Sequence, residues 1–169
     1  MFGNRHPTPC ISCGCRLDWK LPKEDKTILK VSKLTIEQLC NFRENMRDED
    51  KMEWFYASNT SFGLTEVEEL GDALCLYDDE TQRVYAIGAI DSYLIWVVCT
   101  NEVDVHPIKF LRFCKPFFKR WVKHRVFNYV WLRNKRHVQW LKWLGAEFGN
   151  YTRINGELFQ KFTLYPIKE

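Results

Sequence analysis

The side chains that could do chemistry fall into three groups. The first stands at the start of the chain, where His6, Cys10, Cys13 and Cys15 present soft donors close together. Their Cys-x-x-Cys step is the usual zinc-knuckle spacing, enough for one zinc ion. A second Cys or His pair, which strong zinc sites carry, is missing, so an extended arm with incidental thiols accounts for the same residues. Pro7, Pro9 and Pro22 favour that arm. The second group is histidine. His106, His124 and His137 are possible bases, but none has a positioned nucleophile beside it in sequence. His106 precedes Pro107 and reads as a helix-start residue, and His137, in the first turn of a helix, is expected to be neutral because the helix dipole disfavours a cation there. No Ser/His/Asp set, phosphate-binding loop or metalloprotease helix is present. The third group centres on Asn134, at the junction of a strand and a helix, where a free helix N-terminus offers a place for anions.

The elements around Asn134 are the best defined in the chain. Val126 to Leu132 is apolar or aromatic except for Asn128, as suits a strand buried on both faces near the middle of a sheet. Asn134 follows as an N-cap, then Val138, Leu141 and Leu144 at helical spacing toward the sheet, with Lys135, Arg136, Gln139 and Lys142 toward water and Gly145 as the C-terminal stop. Upstream, Thr27 to Val31 reads as a first strand. Thr35-x-x-Gln38 is a capping box for a helix with Ile36, Leu39, Cys40 and Met46 inward. Asp48 is placed to cap a second helix carrying Met52, Phe55 and Tyr56, and Thr65-x-x-Glu68 with Gly71 frames a third. Ala73 to Tyr77, Val84 to Ile90 and Tyr93 to Thr100 read as strands. Pro107 opens a long helix, kinked or broken at Pro116. Ile154-Asn155-Gly156-Glu157 is a two-residue hairpin signal. The predicted architecture is α+β, a mixed sheet of six or seven strands flanked by helices over residues 27–169, with residues 1–26 as an N-terminal extension.

This order of parts, with RNKRHVQWLKWLGAEF at its late strand-to-helix junction, resembles the GNAT N-acyltransferase superfamily. Asn134 falls on that superfamily's asparagine and Leu144-Gly145 on its Leu-Gly. Within it, LTIEQLCNFRENMRDEDKMEWFYAS, IWVVCTNEVDVHPIKFLRF and the Trp-rich helix 134–144 look most like the small internal virion proteins of short-tailed phages. The first resemblance implies an acetyl-coenzyme A cleft, with Val98, Thr100, Asn101 and Asn134 at the positions that would meet the cofactor. The second implies virion structural proteins as partners, a place inside or on the particle, and host cytoplasm during synthesis.

The chain departs from catalytic GNAT members at three places. Their pyrophosphate loop is glycine-rich because glycines let backbone N–H groups converge on phosphate oxygens. Here the loop is Cys99-Thr100-Asn101-Glu102-Val103-Asp104-Val105-His106-Pro107, without glycine and with two carboxylates that would repel a pyrophosphate. The tyrosine that many members use to protonate the leaving thiolate is replaced by Leu141, so Tyr93, Tyr129 or a water would have to serve. The strand before the loop lacks a glutamate base, and Asp91 is the nearest carboxylate. A non-catalytic virion component with a degenerate coenzyme A cleft is the expectation, with no cofactor. An acyl-coenzyme A-dependent N-acyltransferase and a nucleic-acid-binding accessory protein are the alternatives.

Charge is distributed unevenly. Eleven Lys and Arg, and no Asp or Glu, lie between Val105 and Ala146, whereas Arg43 to Glu80 holds twelve acids against three bases. The basic stretch fits either the solvated face of two helices, balanced in space by the acidic segment, or an unspecific DNA contact through Lys119, Arg120, Lys123, Lys135 and Arg136. Trp131, Trp140 and Trp143 read as packing residues. No apolar run reaches membrane-spanning length, and the N-terminus lacks the apolar core of a signal peptide.

Overall fold

The computed structural model describes residues 28–59 and 72–167. One seven-stranded mixed sheet runs through them in the order β1-β2-β3-β4-β5-β7-β6. Its strands are β1 (Leu29–Lys33), β2 (Leu74–Asp78), β3 (Val84–Asp91), β4 (Leu94–Cys99), β5 (Val126–Trp131), β6 (Glu147–Ile154) and β7 (Glu157–Leu164). The helices are α1 (Ile36–Asn45), α2 (Asp48–Ser58), the short α3 (Glu102–Val105), α4 (Pro107–Trp121) and α5 (Lys135–Leu144). The α+β sandwich expected from the sequence is therefore present. No helix among the described residues is long and apolar enough to cross a membrane.

Two apolar clusters cover the two faces of the sheet. Leu39, Phe42 and Met46 pack on Cys75, Val84, Ile87, Ala89 and Val98, while Phe110, Cys114, Phe118, Leu141 and Leu144 pack with Val126, Val130, Phe162 and Leu164. Local signals set the boundaries. Thr35 and Gln38 form the reciprocal capping box, Asn134 accepts from the His137 N–H, and Gly145 takes the left-handed conformation at φ 92° that ends α5. Asn155 and Gly156, both at positive φ, make the hairpin turn whose twist matches the strands.

Three expectations are corrected. In α1 the inward residues are Leu39 and Phe42. Ile36 is exposed, as is Cys40, because the stripe that meets the sheet runs through 39 and 42 on to Met46. α2 is capped at Arg47 without a side-chain bond, not at Asp48, and its buried residues are Asp50 and Glu53. Met52 and Phe55 are each 42% exposed, so this helix turns two of its four carboxylates inward and two large apolar side chains outward. Pro116 lies within α4 without ending it, so of the kink or break expected there the break does not occur. The Thr65 capping box and the Gly71 stop lie outside the described residues.

The sheet is not continuous in its middle. β4 and β5 run parallel but pair only at Leu94↔Phe127. The Phe127 N–H donates to the Tyr93 carbonyl at 2.8 Å, the Asn128 side-chain amide donates to the Ile95 carbonyl at 2.8 Å, and beyond these the strands diverge. This splay places the site.

At the other end of the sheet, Asp78 ties α4 to the β2–β3 turn. Its carboxylate accepts from Lys109 Nζ at 2.7 Å and from the backbone N–H groups of Glu80 and Thr81 at 3.0 Å each. Burial opposes its ionisation, but these donors prevail and hold its pKa at about 2. A carboxylate with a depressed native pKa stabilises the fold above its unfolded value and loses that contribution as pH falls through the native one. Replacing Asp78 with Asn is expected to cost about 2 kcal/mol at neutral pH and to flatten the fall in stability between about pH 4 and about pH 2, as read by urea unfolding across that range.

Candidate ligand cleft in the strand splay

Where parallel strands part, the backbone groups that faced each other lose their partners and must be satisfied otherwise. Two N–H groups at the open end of the splay, Cys99 on β4 and Trp131 on β5, are met by side chains of α2. Asp50 Oδ2 accepts from Cys99 N at 2.7 Å, and Glu53 Oε1 accepts from Trp131 N at 3.1 Å. The Asn134 side-chain amide, fully buried, donates to Asp50 Oδ1 at 2.8 Å and Glu53 Oε2 at 2.6 Å, while its oxygen caps α5 at the His137 N–H. His137 Nδ1 lies 2.9 Å from Glu53 Oε2. The buried Arg47 guanidinium stands 3.6 Å from Asp50 and 3.3 Å from Asp104, and Asp104 also pairs with Arg136.

Two buried carboxylates thus face one arginine and one histidine. Burial raises the Asp50 pKa, partly offset by His137 and Arg47 and reinforced by Glu53. Burial works to lower that of His137, but the Glu53 charge and hydrogen bond and the Asp50 charge outweigh it and raise the pKa. This upward shift runs against the direction expected from the helix dipole, because two carboxylates within the same enclosure outweigh a partial charge at a helix end.

A cavity of about 240 Å³ occupies the splay, lined among others by Trp54, Ile95, Val98, Tyr129, Trp140 and Phe162, with Glu53 and His137 in its wall. A second, of about 120 Å³, lies toward Arg47, Asp104, Pro107 and Arg136. Asp50 and His137 belong to both walls, so the carboxylate cluster stands where the two spaces meet. Cys99 is the thiol nearest this junction; burial and then Asp50 push its pKa well above the ordinary thiol value, which keeps it from acting as a thiolate nucleophile.

The loop after β4 uses its own donors. Asn101 N donates to Asn45 O, Val103 N to Thr100 O, Asp104 N and Val105 N to Asn101 O, and His106 N to Glu102 O, while Glu102 N donates to Thr100 Oγ1. Pro107 has no N–H. Glu102 faces Arg83 and His106. Of the residues the GNAT resemblance points to, Val98 lines the larger cavity. Thr100 is fully buried with its hydroxyl donated to Val84 O at 2.6 Å, Asn101 is exposed at the start of α3, and Asn134 is at the centre of the carboxylate cluster. Tyr129 borders the larger cavity. Tyr93 packs edge-on against His124, whose Nε2 is 2.6 Å from Ser92 O, and Asp91 is exposed. The candidate zinc ligands His6, Cys10, Cys13 and Cys15 lie outside the described residues, and no group of three or more metal-ligating side chains occurs among the described ones.

The fold is that of the GNAT acetyltransferases. The chain superposes on the GNAT-family acetyltransferase from Bacillus anthracis with TM-score 0.61 at 13% identity, covering 82% of this chain and 95% of that one. It superposes on spermidine N-acetyltransferase from Vibrio cholerae, solved with CoA and spermine, with TM-score 0.54 at 12% identity over 82% and 95%. For the ribosomal-protein-S5-alanine acetyltransferase from Vibrio fischeri the values are 0.54, 11%, 84% and 97%. At such identities the likeness is one of fold alone. In sequence, residues 75–152 match the family described as bacteriophage T7, probable scaffold protein Gp13, so the resemblance to phage particle proteins holds beside the resemblance in fold. No curated protein matches the chain.

Two outcomes follow for the cluster. Asn134→Ala removes a helix cap and one donor from each of two buried carboxylates, so its cost is expected to be about 3 kcal/mol, above the roughly 1 kcal/mol of a cap alone; chemical denaturation measures it. His137 and Asp50 both have raised native pKa values, so each binds its proton more tightly folded than unfolded. Their contributions are complete below the unfolded values, 6.5 for the histidine and 3.8 for the aspartate, and are lost as pH rises through the native ones. The denaturation midpoint is therefore expected to fall above pH 3.8 through Asp50 and further above pH 6.5 through His137, and His137→Asn to flatten the second part of that fall.

Proposed function

We propose that this protein is a non-catalytic GNAT-like component of a phage particle, in which the coenzyme A cleft has been given over to the chain's own side chains. One observation carries this: every backbone N–H from Asn101 to His106 is donated within the chain, and the splay beside it is bridged by Asp50 and Glu53. A pyrophosphate needs converging N–H groups and positive potential. Here it would meet spent donors and four carboxylates, Asp50, Glu53, Glu102 and Asp104, to which the nearby Arg47, Arg83, Arg136 and His137 are already paired. The residues present do not fit the cofactor. With Leu141 at the tyrosine position of catalytic members and the Cys99 thiol held protonated, neither a general acid nor a thiolate is supplied there.

The match to the phage scaffold-protein family supports virion structural proteins as partners and a place in or on the particle. Packaged DNA lies within reach of the basic helices in that setting. Acyl-coenzyme A-dependent N-acetyl transfer is the second reading, favoured by the splay itself and by Tyr129 on the cavity wall. Isothermal calorimetry with acetyl-coenzyme A separates the two. No binding up to about 1 mM ligand is expected; micromolar affinity would overturn the non-catalytic proposal.

A further inference from the structure

We infer that the outer face of α4 is a docking ridge for the phosphate backbone of double-stranded DNA, a contact without base readout. α4 buries Phe110, Cys114 and Phe118. At 100° per residue the opposite side carries Arg112, Pro116 and Lys119, flanked by Lys115 and Arg120, and Lys123 continues the line just past the helix end. All are exposed, and none of the five cations on this ridge, Arg112, Lys115, Lys119, Arg120 and Lys123, has an ion-pair partner among the described residues. Of the other basic residues in this stretch, Arg125, Lys135 and Lys142 likewise have no ion-pair partner among the described residues, whereas three are paired. Lys109 pairs with Asp78, Arg133 with Glu157, and Arg136 with Asp104, so Arg136, a candidate DNA contact from the sequence, is already occupied.

The described acids of the acidic segment do not neutralise the ridge. Those of α2 lie on the opposite face of the sheet, where Asp48 pairs with Lys51, Asp50 with Arg47 and Glu53 with His137. A row of cations on long stems, uncompensated and roughly 6 Å apart at each four-residue step of a helix, matches a phosphate strand by charge and by linear form. The apolar residues on this face are Pro116 among the cations and Ile108, 65% exposed, at its start, and they fall short of the buried aromatic centre that anchors a protein interface. It also has no free stacking platform, because the ammonium of Lys115 lies 4.9 Å from the centroid of Trp143, the tryptophan beside it. That favours a duplex backbone over single strands, whose binders stack bases on aromatic rings. The choice of DNA as the duplex rests on the particle reading; the ridge itself does not.

The test is fluorescence anisotropy with a 30-base-pair DNA duplex, about 30 base pairs being long enough to cover the ridge at 3.4 Å per step, in the full chain. Binding is expected at low salt, with log affinity falling linearly in log salt at about −0.9 per phosphate contacted. Arg112→Glu with Lys119→Glu is expected to weaken it at least about tenfold and to reduce the salt slope by about 2. Arg43→Glu with Lys51→Glu, an equal charge change on the opposite face, should stay within about threefold, since distant exposed charges are screened. Melting temperatures of both pairs report folding. If the wild type binds but the two pairs lose affinity equally, the ridge is wrong while DNA contact stands. If the wild type shows no binding at low salt, both fail. Equal affinity for poly-glutamate, or tighter binding to a single strand, also overturns the assignment.

Discussion

The fold depends on how a mixed sheet that opens at its one parallel strand pair satisfies the backbone it leaves bare. β4 and β5 part after a single register pair, and a bare N–H in an apolar interior costs a substantial part of a domain's stability. Asp50 and Glu53 reach across from α2 to the two strands, and Asn134 bonds both carboxylates from the start of α5. One asparagine therefore caps a helix and clamps the carboxylates that hold the splay. Arg47 and His137 make the enclosure tolerable electrostatically, because buried carboxylates without counter-charges would be expelled or protonated.

That arrangement explains why α2 is built inside out. Its inner face carries Asp50 and Glu53 because these dock onto backbone donors. Trp54, set edge-on against Trp96, supplies apolar contact on the same side. Phe55 and Met52 are left outside. The same choice sets Asp50 where the two cavities meet, within the fold of the GNAT acetyltransferases.

Much of this fold was legible from local signals. The Thr35 box, the Asn134 cap, the Gly145 stop and the Asn155-Gly156 turn each depend on residues within four positions of one another, and each appears where the pattern put it. Strands β1 to β5 were likewise recovered within a residue or two. The carboxylate cluster was not legible, because its members are joined across 84 residues between Asp50 and Asn134. On α2 the acids at 50 and 53 and the apolar residues at 52 and 55 are both spaced helically, and a charged stripe is ordinarily solvated; only the tertiary partners decide which faces in. Arg47-x-x-Asp50-x-x-Glu53, a single helical stripe of buried charge, was the one sequence trace. The upward shift of the His137 pKa was illegible for the same reason, since the dipole was visible in sequence and the two carboxylates beside it were not.

The central claim is that Asp50 and Glu53 satisfy the backbone of the open strands. Native-state hydrogen exchange of the Cys99 and Trp131 amides tests it most directly. If the carboxylates accept these N–H groups in a closed cluster, both amides exchange only through opening events near the global unfolding free energy, and Asp50→Ala and Glu53→Ala each deprotect the amide that its carboxylate serves more than global destabilisation alone explains. Fast exchange of both amides in the wild type, at the rate of an exposed strand edge, would contradict the account and leave the cleft open to a ligand.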